Sequence, residues 1–91
     1  MRYVKRMPFE PFASLSPLTI QIGAFVEPSN ADRLKKGLEF KYGNVYITEA
    51  LVNGQKFYRV RIGEFSDYDN AYSLAAKLSG EGYSTLIISK N

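Results

Sequence analysis

The chain contains neither cysteine nor histidine, so its chemistry must come from carboxylates, basic groups, amides, hydroxyls and aromatic rings. That absence excludes disulfide staples, thiol nucleophiles, Cys/His zinc sites and every Ser-His or Cys-His mechanism. The stretch with the most chemical potential is Gln55–Phe65, where Phe57, Arg59 and Arg61 recur at every second position. In an extended strand that spacing puts all three on one face. A guanidinium group is a planar fork suited to a carboxylate, and an aromatic face can stack on a sugar ring or a base. Gln21 supplies an amide that both donates and accepts. The carboxylates Glu49 and Glu64 fall near opposite ends of the third strand and its partner, so they do not form the converging pair that acid–base catalysis needs. Neither a metal nor a cofactor is expected.

These groups need a scaffold. Ninety-one residues, 45% hydrophobic and 23% charged, suffice for one small globular domain and not for two. No apolar run is long enough to span a bilayer, and the opening MRYVKRMPFEPF does not read as a signal peptide. The expectation is a cytosolic protein, or a mature or excised piece of a larger one. The formal charge is +3. Arg2, Lys5 and Arg6 against Glu10 account for +2 of it, which leaves nine basic and eight acidic side chains in residues 18–91. So nearly neutral a body argues against nucleic-acid binding by bulk electrostatics.

Residues 1–17 hold three of the four prolines and show no sustained period, which reads as a linker or extended arm. Phe9, Phe12 and Leu15 could still lean on the domain, and Arg2–Met7 could instead be the last strand of a preceding one. From Leu18 onward the chain repeats itself at a shift of forty residues. Ile22, Gly23, Phe25, Asn30, Ala31, Leu34 and Leu38 meet Ile62, Gly63, Phe65, Asn70, Ala71, Leu74 and Leu78. Two copies are too few for a solenoid, so residues 18–91 read as one pseudo-symmetric domain.

Leu18–Phe25 alternates like a half-buried strand. Pro28 opens a helix whose buried stripe is Ala31, Leu34 and Leu38, with Gly43 as its stop. Asn44–Ala50 is a second strand, and Asn53-Gly54 is a hairpin turn into a third over Gln55–Phe65. Ser66 and Asp69 form a capping pair for a second helix with the stripe Ala71, Leu74, Ala75 and Leu78. Gly80 and Gly82 end it, and Tyr83–Ser89 is the fourth strand. The order βαββαβ gives an α+β, ferredoxin-like sandwich, a four-stranded antiparallel sheet with both helices on one face.

The hairpin sets the register. Val52 opposite Gln55 pairs Ile47 with Val60 and Val45 with Ile62 toward the core, and leaves Tyr46 beside Arg61, Thr48 beside Arg59 and Ala50 beside Phe57 on the open face. Thr19 and Gln21 join them from the first strand. On the last strand the polarity of Thr85 and Ser89 argues for Thr85, Ile87 and Ser89 outward and Leu86 and Ile88 inward, although strict repeat symmetry prefers the opposite. The expected platform is Gln21, Tyr46, Thr48, Phe57, Arg59, Arg61, Thr85 and Ile87. Such a face can also be no more than cross-strand packing.

The segments Thr19-Ile20-Gln21-Ile22-Gly23-Ala24-Phe25, Asn30-Ala31-x-x-Leu34, Tyr58-Arg59-Val60-Arg61-Ile62-Gly63-x-Phe65, Ala71-x-x-Leu74 and Gly82-Tyr83 resemble the SPOR (sporulation-related repeat) domain over residues 18–90. The resemblance implies a non-catalytic module that binds bacterial peptidoglycan. Its preferred ligand would be glycan strands denuded of stem peptides, and it would target an envelope parent to the division septum. Such domains usually end a periplasmic protein after a linker, with a membrane or lipid anchor upstream. The parent could resemble rare lipoprotein A or a division protein, and other envelope proteins are open as partners. No direct membrane insertion is expected of the fragment. Carried over by position, the family's sheet-face residues fall on Gln21, Phe57, Arg59 and Ile87, with Ala24 where a Ser is common.

Two rivals share the fold. An RNA-recognition module needs a basic–Gly–aromatic–Gly/Ala–Phe signature on its third strand, which Phe57–Ile62 does not match. An acylphosphatase-like enzyme needs an Arg in its first loop, and Gly23–Pro28 has none while carrying Glu27. A protein-interaction or purely structural module remains the third alternative.

Overall fold

A computed structural model describes residues 17–90. The linker or strand expected over residues 1–17 therefore lies, Pro17 apart, outside the described residues. Strand β1 (Leu18–Phe25), helix α1 (Pro28–Glu39), strands β2 (Val45–Val52) and β3 (Gln55–Phe65), helix α2 (Tyr68–Gly80) and strand β4 (Leu86–Ser89) follow the expected βαββαβ order. The strands form one sheet in the order β2-β3-β1-β4, and all neighbours are antiparallel.

Local chemistry accounts for most boundaries, with three departures from expectation. Pro28 occupies the first turn of α1, where its missing N–H costs nothing. That helix ends at Glu39, before Gly43, because the Lys41 and Tyr42 amides close on the Leu38 carbonyl at 3.0 and 2.9 Å. The α2 cap is Asp67 and not the Ser66–Asp69 pair. Its carboxylate accepts from the Asn70 amide at 2.8 Å, one residue closer to the helix than Ser66. The fourth strand begins only at Leu86, since the Tyr83 amide still bonds to the Leu78 carbonyl at the helix end, at 3.1 Å. The Asn53-Gly54 turn is as expected: both residues have positive φ, 51° and 81°, which matches the twist of the strands it joins.

One face of the sheet is packed. Ile20, Ile22, Val45, Val60 and Ile62 meet Ala31 and Leu38 of α1 and Ala75 and Leu78 of α2 in a single buried cluster. The forty-residue repeat is visible here as matched burial, because Ala31 and Ala71, Leu38 and Leu78, and Ile22 and Ile62 are all buried. The repeated Gly-x-Phe has a packing cause. A Cβ on Gly23 would lie 3.0 Å from the Phe25 ring, and one on Gly63 would lie 2.5 Å from the Phe65 ring. Each Phe covers the glycine two residues before it. Gly63 also sits at φ 82°, inside a register shift between Leu18↔Phe65 and Ile20↔Ile62, as a β-bulge requires.

A polar tie joins the ends of the two helices. The Tyr42 hydroxyl donates to Glu81 at 2.9 Å, and Lys41 lies 3.2 Å from the same carboxylate. The Tyr42 hydrogen bond, with lesser help from Lys41 and Lys77, holds the Glu81 carboxyl below its ordinary range.

Three substitutions test this account. Gly63→Ala meets both a positive φ and the Phe65 ring and should destabilise by about 1–3 kcal/mol in denaturant unfolding. Gly37→Ala meets open space on a helix and should instead stabilise by about 0.5–1 kcal/mol. A lowered carboxyl stabilises the fold above its unfolded-state pKa and loses that contribution as pH falls through the folded value. Tyr42→Phe should therefore raise the Glu81 pKa in an NMR titration and flatten the loss of stability on the acid side of about pH 4.

Candidate functional site

The unpacked face of the sheet is organised in rows set by the register. Across all four strands one row reads Tyr46–Arg61–Gln21–Leu86. The next toward the hairpin reads Thr48–Arg59–Ala24, and beyond it stands Ala50–Phe57. The β2–β3 register is the one expected from the Asn53-Gly54 turn at every pair. It brings Gln21, Ala24, Tyr46, Thr48, Phe57, Arg59 and Arg61 onto one surface.

The last strand is a correction. Ile87 pairs with Ile20, which is fully buried, and packs against the core. It therefore faces the helices and does not belong to the open surface. Thr85 shares that side, lining a groove with Tyr68, Tyr72 and Ser79 of α2. The residues that turn outward are Leu86 beside Gln21 and Ile88 beside Thr19. The polarity of Thr85 and Ser89 misled because both lie at the ends of a short edge strand, where a polar side chain is tolerated on either side. The repeat itself carried the correct signal, since a shift of forty maps Tyr46, Ile47 and Thr48 onto Leu86, Ile87 and Ile88.

Arg61 is the centre of the face. Its side chain lies flat against the sheet, leaving it only 9% exposed, and its Nε donates to Gln21 Oε1 at 3.2 Å. Among the described residues no carboxylate lies within ion-pair distance of Arg61 or Arg59. A guanidinium group has five N–H donors, and among the described residues the side-chain acceptor of Arg61 is Gln21 Oε1. Gln21 is half-buried and fixes the guanidinium orientation, a part that its expected position on an open surface did not suggest.

Tyr46 is built into the sheet more firmly than a free stacking surface would be. Its hydroxyl donates to Thr19 Oγ1 at 2.7 Å, while the Thr19 hydroxyl lies 2.8 Å from the Gly63 carbonyl oxygen in the bulge. The Lys90 ammonium sits 5.4 Å from the Tyr46 ring centroid and pairs with Glu64 at 2.7 Å. That carboxylate, chiefly through its hydrogen bond, raises the Lys90 pKa above its ordinary value. Thr19 is fully buried beneath this assembly although it points to the open side. Sequence reasoning missed Lys90 and the Thr19–Tyr46 bond. Both depend on contacts between residues far apart in sequence, which alternation alone does not reveal. Ala24 is exposed, and Phe57, Thr48 and Arg59 are half-buried.

Glu49 and Glu64, the carboxylates nearest the third strand, are both ion-paired. Glu49 pairs with Lys56 at 3.3 Å and Glu64 with Lys90, so neither stands as a free acid or base opposite the other. Among the described residues no group of three or more acidic side chains could hold a metal ion, and no helix is long and apolar enough to cross a membrane.

The chain has clear relatives. It is similar to the crystal structure of the RlpA SPOR domain from Pseudomonas aeruginosa, with a TM-score of 0.69, 26% identity, and coverage of 78% of this chain and 96% of that one. It is also similar to the solution structure of the peptidoglycan-binding domain of the B. subtilis cell wall lytic enzyme CwlC, with a TM-score of 0.63, 33% identity, and coverage of 97% and 100%. No curated protein sequence matches it significantly. The family model for the SPOR domain matches residues 14–89, which takes in all four strands and both helices, and the chain belongs to that family.

Proposed function

We propose that this domain binds bacterial peptidoglycan on the open face of its sheet and prefers glycan strands stripped of their stem peptides. The reading draws on family membership and on the similarity to a domain described as peptidoglycan-binding. The observation that carries it is Arg61, a largely buried guanidinium group oriented by Gln21 and, among the described residues, without a carboxylate partner. Removing a stem peptide leaves a lactyl carboxylate on each muramic acid. An intact stem converts that charge to an amide and adds bulk over a flat surface. Arg61, with Arg59 one row away, would accept the free carboxylate as a charge-assisted pair. Phe57 would stack on a sugar face, and Ala24 would leave room for the strand to lie flat. Most of these contacts are exposed and worth about 0.2–1 kcal/mol each, so affinity would come from several acting together. The role is binding and not catalysis, and the setting is the cell envelope, where the domain would direct a parent protein to septal wall.

Cosedimentation with purified sacculi tests this directly. Binding should rise after amidase digestion and fall between low and high salt. Equal binding to digested and fully substituted wall would remove the preference for denuded strands. Arg61→Gln should lose most of the binding while the domain stays folded. Gln21→Ala should lower stability by about 1–2 kcal/mol by depriving a buried guanidinium of its acceptor, and should weaken binding too. Tyr46→Phe separates strut from ligand contact. It should cost about 0.5–1.5 kcal/mol of stability through the lost Thr19 bond and leave sacculus binding within twofold.

A further inference from the structure

The row Tyr46–Arg61–Gln21–Leu86 ends at β4, a strand of four residues with no described strand beyond it. Leu86 and Ile87 point to opposite sides of the sheet, yet both line one groove of about 500 Å³. That groove must therefore run along the outer edge of β4, the edge not paired with β1. Its far wall is α2, where Tyr68 and Tyr72 stand one turn apart with ring centroids at 6.0 Å and an interplanar angle of 26°. Both rings are more than half exposed, as is Leu86. Ser79 and Thr85 add hydroxyls, and no lining residue is charged.

We propose that this groove is a second glycan subsite, which takes an uncharged N-acetylhexosamine portion of the strand whose carboxylate-bearing portion lies at Arg61. The proposal rests on the peptidoglycan reading and extends it around the edge of the sheet. Three observations favour a sugar. Exposed Tyr rings next to Ser and Thr hydroxyls match the mixed apolar and hydroxylated surface of a pyranose. The absence of charge contrasts with the cationic row and suits the uncharged residue of an alternating polymer. Leu86 belongs to both surfaces, so a chain crossing the sheet passes from one to the other without a gap. From β3 to β4 is two strand spacings, about 10 Å. A peptide strand added to β4 is a weaker fit, because so short an edge offers few main-chain partners.

The test uses the full chain and glycan length. Denuded glycan fragments, one short enough to cover only the Arg61 row and one several disaccharides longer, are titrated against wild type, Tyr72→Ala, Tyr68→Ala and Arg61→Gln. Both tyrosines are exposed, so their variants should melt with the wild type, and a thermal scan checks this. The tyrosine variants should bind the long fragment roughly three- to tenfold more weakly, the loss expected for one aromatic contact, and the short fragment unchanged. Arg61→Gln should weaken both. In NMR spectra, chitohexaose as an uncharged probe should shift Tyr68, Tyr72 and Thr85. Wild-type affinity of both tyrosine variants for the long fragment, while Arg61→Gln still fails, would overturn the subsite and leave the main reading standing. Failure of the wild type to bind any glycan would overturn both. Groove shifts produced by a stem peptide and not by chitohexaose would overturn the subsite in favour of strand addition.

Discussion

The pairing of β1 with β3 is the constraint on which everything else rests. These two central strands are the equivalent strands of the two sequence copies, and the core cluster and the exposed row are consequences of how they meet. Ile20 and Ile62 face each other with no exposure at all, which fixes one face as the interior. The next pair along, Gln21 and Arg61, is then forced onto the other face, and these residues are themselves forty positions apart. A one-residue slip would bury a guanidinium among isoleucines, so the hydrophobic core dictates where the cation must stand.

The two register shifts in that pairing are tolerated because glycine sits at each of them. Gly63 supplies the positive φ of one bulge, and Gly23 stands beside the other. Phe65 and Phe25 close over the space that a side chain would have used. The β2–β3 ladder runs through eight pairs without a shift. One central ladder is therefore bent and the outer hairpin regular, and the bulge lets the Thr19 hydroxyl reach the Gly63 carbonyl below Tyr46.

Much of this was legible in the sequence because several signals agreed. Asn53-Gly54 fixed the hairpin, alternation fixed the sides of β1 as far as Ile22 and of β3 as far as Ile62, and the forty-residue shift identified the two halves; beyond those points the bulges reverse the sides. Where local polarity and repeat symmetry disagreed, at Thr85–Ser89, symmetry was the better guide. Core packing acts on a whole strand, whereas a hydroxyl at an exposed edge has little preference. The Asp67 cap and the early end of α1 escaped for a different reason. Several acceptors and breakers lay within a residue or two of each boundary, and only backbone geometry selects among them. The seat of Lys90 over Tyr46 joins the end of the chain to β2, and no local pattern encodes it.

Pseudo-symmetry in the backbone is joined to asymmetry in the side chains. Equivalent positions on the open face hold Gln21 and Arg61, Thr19 and Arg59, Tyr46 and Leu86, Thr48 and Ile88. The β3 member carries the cation in both of the central pairs, and the β4 member is aliphatic in both of the outer ones. Duplication alone would have given a face with two identical halves. Divergence has instead given it a polar side over β2 and β3 and an apolar side toward β4, so an elongated ligand crossing the strands would meet different chemistry at its two ends. That contrast follows from the side chains alone, because the backbone pairing that sets the row Tyr46–Arg61–Gln21–Leu86 is shared by both halves.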